Sequence, residues 1–440
     1  MLRAAHSNFN YDVELRGRIF LMSDDFNLKS KIYWKRMGWG LFLGMISAIS
    51  VFIFILLMDM GQGIFFPNLG QNWALFSGPW WMIIVMTGAG LMVGLIHRYT
   101  SAQQLDAFKA MDDGYLDPKP VPSSLLASLI SLIAGFSLGP EVPSGFLAAG
   151  LGTWISKKRN MDPKTTRINV ISGISGAYAG LFSSPLVMIL MLLETDHKQN
   201  VIYYGTLFIA GMAAVIGFAV FYLFNDLNYS SLLGILSPPA YHLQLWHLGA
   251  GVLMGIIAVP IALVFVIFNK VLQRAVEPLN SKPILRSTLG GFLLGVLAVI
   301  IPSTIGLGTT EMSIVTSQAA EIGIVLLLVF ALAKLLALSG ALNFGFIGGP
   351  IFPLLFVGAC IGSLITVLFP QIPQGLAWGC MIVAVPAAVV PIPIALGAIG
   401  IVIIGLSPTD TLPVFISALV AYAITHGLLG AGQENLSKEV

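Results

Sequence analysis

Charged side chains are scarce in this sequence. Only 10% of its 440 residues are Asp, Glu, Lys or Arg, whereas 57% are hydrophobic. A water-soluble domain usually carries about a quarter charged residues. The apolar segments are continuous rather than alternating, which favours membrane-spanning helices over the strands of a β-barrel. The composition therefore predicts an all-α protein that crosses the membrane many times.

Cysteine is nearly absent as well. Cys360 and Cys380 both lie in apolar stretches, so we expect no disulfide framework and no metal site. The formal net charge of +2 gives no indication of a nucleic-acid partner. Residues 1–10 contain no apolar core, so a cleaved signal peptide is not expected. Nothing in the composition calls for a cofactor, and none is expected.

One glycine-rich stretch occurs twice. Residues 135–143 read GFSLGPEVP and residues 345–353 read GFIGGPIFP, an offset of 210 positions. Internal similarity at a long fixed offset is the signature of a duplicated fold. Proline is tolerated in the first turn of a helix, so each copy predicts a helix that starts at its Gly-Pro pair. Two such helix starts at membrane depth, with free N–H groups and positive dipole ends, form an anion site.

The lengths and charges of the apolar segments predict how the chain is organised. We expect a cytoplasmic N-terminal segment at 1–36, a first membrane repeat at 37–225, a linker at 226–244, a second repeat at 245–430 and a polar tail at 431–440. Basic residues precede the first predicted span and follow the second, while the loop between them has none. The positive-inside rule therefore places the N-terminus of this multi-pass cell-membrane protein in the cytoplasm.

Several segments of the first repeat are too short for simple membrane spans. About 15 residues of helix rise roughly 22 Å, less than the roughly 30 Å of the hydrocarbon core. Short helices interrupted by Gly and Pro exist at membrane depth only where other protein buries their ends. The sequence thus predicts a bundle of broken helices, with a mixed-charge loop at 99–122 before it.

The residues around the two motifs resemble the CLC family of chloride channels and chloride/proton exchangers. The family's Lys followed by Gly-Gly-x-Phe-x-Pro is similar to Lys334 and residues 348–353, where Ile351 takes the usual aromatic position. The family's Gly-Arg-Glu-Gly-Pro is similar to residues 139–143, and its Ala-Pro-Leu helix ending in Glu is similar to residues 184–194. The resemblance implies two inverted halves of many short tilted helices, in a homodimer with one pore per subunit.

The resemblance also implies which residues bind the anion. They are Gly139, Glu141, Val142, Ser144, Gly349, Ile351 and Phe352. The family's Gly-Ser-Gly-Ile-Pro motif is missing, so Thr100 or Ser101 is the expected substitute hydroxyl. The pore-lining tyrosine is missing from residues 407–413. Thr195 stands where exchangers often carry a proton-relaying Glu after the equivalent of Glu194, which leaves open whether protons are transported with the anion.

Glu141 is predicted to be the gate. A carboxylate in the first turn of a helix is stabilised by the same dipole and N–H groups that hold an anion, so it competes with the anion. Protonation removes that competition. The alternative is a plain helix-capping role, but acids inside a membrane are functional by default. Glu194 either lies near the inner vestibule or ends a solvated helix. Lys334 either attracts anions, or it pairs with a backbone carbonyl or extends to the membrane interface.

Transport of small inorganic anions, with chloride first, is the function that the sequence predicts, and no enzymatic activity is expected. A secondary transporter of an anionic organic solute would use the same opposed helix starts. A third reading, an intramembrane serine protease of the rhomboid type, rests on Ser175 within Gly-x-Ser-Gly and on His426. Small residues at that spacing more often let helices pack closely.

Overall fold

The computed structural model describes residues 28–66, 78–195, 204–225 and 236–438, with side chains up to residue 428. The predicted N-terminal segment up to residue 27 and the linker residues 226–235 lie outside them. The described ranges contain sixteen α-helices: α1 (Lys31–Phe65), α2 (Trp81–Tyr99), α3 (Ala107–Asp113), α4 (Val121–Ile133), α5 (Glu141–Lys158), α6 (Pro163–Leu181), α7 (Pro185–Thr195), α8 (Tyr204–Asn225), α9 (Leu245–Val276), α10 (Pro283–Ile300), α11 (Thr309–Ser317), α12 (Ala319–Asn343), α13 (Ile351–Leu368), α14 (Gln374–Ala387), α15 (Pro393–Ile404) and α16 (Leu412–Lys438).

The chain contains both long and short apolar helices. Eight segments are long and apolar enough to cross a membrane: α1, α2, α8, α9, α10, α12, α13 and the first part of α16. Four more apolar helices, α4, α7, α14 and α15, have between 11 and 14 residues. The longest of these rises roughly 21 Å, so none of the four crosses the hydrocarbon core alone. The prediction of an all-α membrane protein with many short, broken helices is confirmed.

Helices α2 and α10 hold corresponding places in the two halves, and they pack against each other through glycines. A side chain added at Gly90 would meet the backbone of Ser287, and one added at Gly291 would meet the backbone of Met86. Each helix thus presents the same kind of glycine to the other, as two units related by an approximate two-fold axis do. Close helix approach through glycine is the usual means of association inside a membrane, where lipid removes the hydrophobic driving force.

The Gly-x-Ser-Gly sequence in α6 is a packing surface. A side chain at Gly176 would meet the backbone of Gly44 in α1, and one at Gly217 in α8 would meet the backbone of Gly176. The hydroxyl of Ser175 is buried and donates a hydrogen bond to the carbonyl of Ile171 in its own helix, at 2.7 Å. The small residues of this motif therefore let three helices approach closely.

The region predicted as a loop at 99–122 contains a short helix, α3, which corrects that prediction. The Asp106 carboxylate accepts a hydrogen bond from the N–H of Lys109 and caps the helix start. Gly114 ends the helix with φ = +62°, a left-handed conformation that glycine adopts at little cost. Seven residues are too few to show a helical period, so these end residues were the only signals in the sequence.

Candidate functional site

Both copies of the repeated motif begin with a glycine in a left-handed turn. Gly135 has φ = +80° after α4, and Gly345 has φ = +94° after α12. An L-amino acid with a side chain is strained at such angles, whereas glycine is not. The turns end the two preceding helices and direct the chain inward, where residues of the two motifs meet.

Equivalent residues of the two motifs contact each other in the interior of the fold. The N–H of Gly139 donates to the carbonyl of Gly349 at 2.7 Å, and the N–H of Gly349 donates back at 2.8 Å. The rings of Phe136 and Phe346 stack with centroids 3.6 Å apart and planes 22° from parallel. All four residues are buried. Because each residue pairs with its own counterpart, the approximate two-fold axis of the fold passes between the motifs.

Each motif then starts a helix, α5 at Glu141 and α13 at Ile351. The third residue of each helix is a proline, which has no N–H group. The fourth residue bonds within its own helix; the N–H of Ser144, for example, donates to the carbonyl of Pro140 at 2.9 Å. Each helix start therefore offers the N–H groups of its first two residues only. Of the predicted anion-binding residues, Ser144 therefore has no backbone N–H to offer an anion.

The Glu141 side chain, which belongs to the first motif, reaches the helix start of the second. Its Oε1 accepts a hydrogen bond from the N–H of Ile351 at 2.6 Å, and the side chain is buried. Its Oε2 has no hydrogen-bond partner within the described residues. A Cβ atom added to Gly139 or Gly349 would overlap this carboxylate. Two glycines and one helix start thus form the cradle in which the carboxylate lies.

Other predicted site residues lie in the first turns of the same two helices. Ser144 is buried, and its hydroxyl has no hydrogen-bond partner among the described residues. Phe352 is buried, and its ring stacks with that of Phe182 at a centroid distance of 6.2 Å. Val142 is half-buried between these turns and the core. The structure therefore brings together the predicted residues that belong to the two motifs.

Thr100 and Ser101 are exposed at the end of α2, and no described contact joins either of them to Glu141. The Thr100 hydroxyl donates to the carbonyl of Ile96, at 2.6 Å. The same segment reaches the second motif through Gln104, whose Nε2 donates to the carbonyl of Gly348 at 2.8 Å. Sequence reasoning missed this residue, because no local pattern marks a single glutamine that binds a distant carbonyl.

Tyr178 in α6 is a second residue that sequence reasoning missed. Its hydroxyl is buried and donates to the backbone carbonyl of Glu141 at 2.8 Å. A side chain at Gly145 would meet that hydroxyl, so the tyrosine lies directly against the first turn of α5. Its ring meets the Phe182 ring edge-on at 5.5 Å. The available signal was weak: a tyrosine in an apolar helix needs a partner for its O–H.

Glu194 does not end a solvated helix. Its side chain is buried, and its two oxygens accept hydrogen bonds from the N–H groups of Ile394 and Ala395, at 2.7 and 2.8 Å. These donors are at the start of α15, so a second carboxylate of the chain caps the start of another helix. The adjacent Thr195 is half-buried, and its hydroxyl donates to the carbonyl of Met191 in its own helix at 2.9 Å.

Lys334 pairs with backbone carbonyls, one of the alternatives that the sequence left open. Its ammonium group is fully buried and donates to the carbonyls of Ser303, Ile305 and Gly306, at 3.1, 2.9 and 2.9 Å. The N–H of Gly306 in turn donates to the carbonyl of Gly135, at 2.8 Å. The lysine thus fixes a loop of the second repeat against the turn that opens the first motif.

The two residues of the protease alternative are bonded within their own helices. The Ser175 hydroxyl binds the carbonyl of Ile171, and Nδ1 of His426 lies 3.2 Å from the carbonyl of Tyr422. No described hydrogen bond joins Ser175 to His426. A serine nucleophile needs a base within hydrogen-bond reach, so the geometry does not favour this alternative.

Together, the fold and the site define an inverted-repeat membrane transport protein. Its two halves present opposed helix starts, with N–H groups aimed at one central place, as anion-transporting proteins of this architecture do. A model of the family described as voltage gated chloride channel matches residues 85–426. The chain therefore belongs to the voltage gated chloride channel family, the CLC family, and is an integral, multi-pass membrane protein of anion transport.

Similar proteins agree with this assignment. Proteins of Salmonella choleraesuis and Salmonella typhimurium are 29% identical over 352 residues, which is 78% of this chain and 83% of theirs. They carry the name ion-transport protein YfeO, a name that is itself provisional. A slow cyanobacterial Cl−/H+ antiporter has a similar structure, with a TM-score of 0.75, 16% identity, and coverage of 89% of this chain and 94% of its own. A CLC-type fluoride/proton antiporter has a TM-score of 0.67, 19% identity and the same coverage. At these identities the two structures show the shared fold.

Proposed function

We propose that the chain transports small inorganic anions, chloride first, through a path that passes between the starts of α5 and α13. The observation that carries the proposal is the hydrogen bond that the Glu141 carboxylate accepts from the N–H of Ile351, at 2.6 Å. A carboxyl group lies at a helix start, the kind of place that binds anions. Neither helix start holds a full positive charge in its first turn. Partial charges bind an anion weakly enough to release it, as conduction requires.

We propose that Glu141 is the gate of this path. While its carboxylate lies on the Ile351 N–H, an anion cannot use that donor. Protonation removes the negative charge and weakens the hold of the helix start on the side chain. The hydroxyl of Ser144, buried and without a hydrogen-bond partner among the described residues, supplies a further donor to an anion that replaces the carboxylate.

We propose that transport is passive or only weakly coupled to protons. Thr195 offers no titrating acid at the position expected for a proton relay, and its hydroxyl bonds within its own helix. The neighbouring Glu194 is held by two N–H groups at the start of α15. Both observations support a path on which neither Thr195 nor Glu194 carries protons.

Flux from proteoliposomes with simultaneous pH recording tests these proposals. We expect chloride efflux that carries few protons, and replacement of chloride by nitrate, bromide or fluoride ranks the anions. Sustained uphill proton movement driven by a chloride gradient would show an exchanger instead. Absence of any inorganic anion flux, with uptake of an organic anion, would favour the alternative of a secondary transporter for organic solutes.

We also propose a homodimer with one path in each subunit and a cytoplasmic N-terminus in the cell membrane. Family membership and the common occurrence of closed two-fold pairs support the dimer. The apolar stretch at 387–405, rich in small residues, is mostly buried within the chain itself, so it adds no support for an interface. A subunit that stays monomeric at high dilution in lipid and still conducts would contradict the dimer.

A further inference from the structure

A cavity lies at the end of α5 that is remote from Glu141. It has a volume of about 550 Å³, within the range of roughly 300–1,000 Å³ that is typical of ligand pockets. The first turns of α1 and the turn between α5 and α6 enclose it, with Ile32, Lys35, Arg36, Trp39, Arg159 and Asp162 in its wall. The 18 residues of α5 place it roughly 27 Å from Glu141, so it is separate from the proposed path.

Three cations and one carboxylate border this cavity, a balance of two positive charges. The carboxylate of Asp162 forms an ion pair with Arg36 at 3.3 Å. Lys35 and Arg159 form no ion pair with a described residue. The guanidinium of Arg159 lies over the ring of Trp39, 5.8 Å from its centroid, which holds the charge at the cavity by a cation–π interaction.

The one carboxylate is already fully engaged. Asp162 accepts hydrogen bonds from the N–H and the hydroxyl of Thr165, at 3.0 and 2.6 Å, in addition to its ion pair with Arg36. Arg36 also donates to that hydroxyl, at 3.0 Å. Asp162 therefore neutralises Arg36 and caps α6, and it leaves the charges of Lys35 and Arg159 for a ligand.

An apolar surface continues from the cavity along α1. Trp39, Phe42 and Met45 are three residues apart and therefore share one face of the helix. Phe42 is 40% exposed and Met45 38% exposed, and the Trp39 and Phe42 rings meet edge-on at 5.8 Å. In a membrane this face is open to acyl chains. A ligand with a charged head and an apolar tail would use both the cavity and the face.

We infer that this cavity binds the phosphate group of an anionic phospholipid. Arginine matches phosphate geometry with paired donors, and basic pockets at the ends of membrane helices hold anionic head groups. Lys35 and Arg159 both suit a phosphate group, and soluble phosphates offer the same group as a lipid. The apolar face of α1 favours the lipid, because a soluble ion would gain nothing from Phe42 and Met45.

Lipid binding to the purified full chain in detergent, counted by native mass spectrometry, tests the inference. Phosphatidylglycerol is the probe, phosphatidylcholine the neutral comparison and inorganic phosphate the competitor. Arg159→Gln and Lys35→Gln should each weaken phosphatidylglycerol binding about tenfold, the scale of one lost charge-assisted contact. Lys158→Gln is the matched control, since Lys158 is adjacent, carries the same charge and lies over Trp154 outside the cavity. It should leave the affinity unchanged.

Three results would overturn the inference. An equal loss of binding in Lys158→Gln and Arg159→Gln would mean that general surface charge attracts the lipid. Equal binding of phosphatidylcholine would mean that the negative head group is not recognised. Displacement of phosphatidylglycerol by millimolar inorganic phosphate, with retention of phosphate itself, would assign the cavity to a soluble anion. Anion flux does not enter this test, so its outcome is independent of the proposed gate.

Discussion

The carboxylate of Glu141 binds the backbone N–H of Ile351, the residue that holds its own position in the other repeat. The two are 210 positions apart, and their Oε1–N distance is 2.6 Å. The backbone of the two motifs is nearly symmetric, but the chemistry is not, since the second repeat has an isoleucine where the first has an acid. One carboxylate of the first repeat therefore occupies the helix start of the second.

Neutralisation of Glu141 should free that place. In Glu141→Gln we expect anion flux equal to or above that of the wild type, with no dependence on external pH, because the charged competitor is gone. In the wild type, acid should increase flux. The pH–flux curves of both proteins in proteoliposomes give the comparison.

A purely structural role predicts a different result for the same variant. Loss of a first-turn acid would cost about 1 kcal/mol of stability, the upper end of the typical range for a helix-dipole interaction. The pH dependence of flux would then be unchanged. Identical midpoints and slopes in the two curves would remove Glu141 as the gate.

We predict that position 349 must be glycine because the Glu141 carboxylate leaves no room for a side chain there. The three atoms nearest to an added Cβ at Gly349 all belong to Glu141, and Gly349 does not have the positive φ that requires glycine. Gly349→Ala should therefore displace the carboxylate and reproduce the flux of Glu141→Gln. In a Glu141→Ala background the same change should have little further effect.

Flux measurements on the four proteins of this cycle give the coupling between the two residues. Residues in direct contact typically couple by about 0.5–3 kcal/mol. Equal effects of Gly349→Ala with and without the Glu141 side chain would show that the glycine serves the backbone alone.

Lys334→Met should destabilise the protein rather than change its ion preference. The change leaves three buried carbonyls without their donor, and each such group costs roughly 1–3 kcal/mol. We expect a large drop in the thermal midpoint in detergent, with the relative permeability of different anions unchanged in the protein that folds. A stable Lys334→Met protein with altered anion preference would instead assign the lysine to the path.

Asp162 should stabilise the fold at neutral pH and not in strong acid. Burial raises the pKa of Asp162, but the Thr165 hydroxyl and N–H and the charge of Arg36 lower it further, so the pKa lies below its ordinary value. A lowered pKa in the folded state gives stability that is present above the unfolded value of about 4 and is lost as the pH falls through the folded value.

Two variants of Asp162 separate the effect of its charge from the effect of its hydrogen bonds at the start of α6. Asp162→Ala should lose about 1 kcal/mol at pH 7, whereas Asp162→Asn keeps a good helix cap and loses less. The difference in thermal midpoint between wild type and Asp162→Ala should narrow near pH 3. A difference that stays constant from pH 7 to pH 3 would contradict this account.

The positions of the two helix starts could be predicted because their signals are local. A Gly-Pro pair before an apolar run marks a helix start whatever surrounds it, and α5 and α13 begin where the motifs place them. The repeat also indicated that the two copies belong to one site. Local signals were weaker for α3, whose seven residues show no helical period.

The contacts between distant segments could not be predicted from the sequence. The acid of Glu141 was expected at a helix start, but which N–H it binds depends on how the halves meet. Glu194 ends an apolar helix, and nothing nearby indicated that it caps α15 some 200 residues later. Gln104 and Tyr178 have ordinary neighbours, and only the folded chain brings them to the motifs.

The reciprocal hydrogen bonds between Gly139 and Gly349 bear on how such a protein could arise. Each half supplies one glycine of that bridge and one helix start, so a half by itself carries an incomplete site. An ancestor of half the length would have needed a second copy inserted in the opposite direction to complete it. When both halves belong to one chain, they are always present in equal numbers. The sequence of each half can then change independently. The acid at Glu141 and the isoleucine at Ile351 show that the two halves now differ at this position.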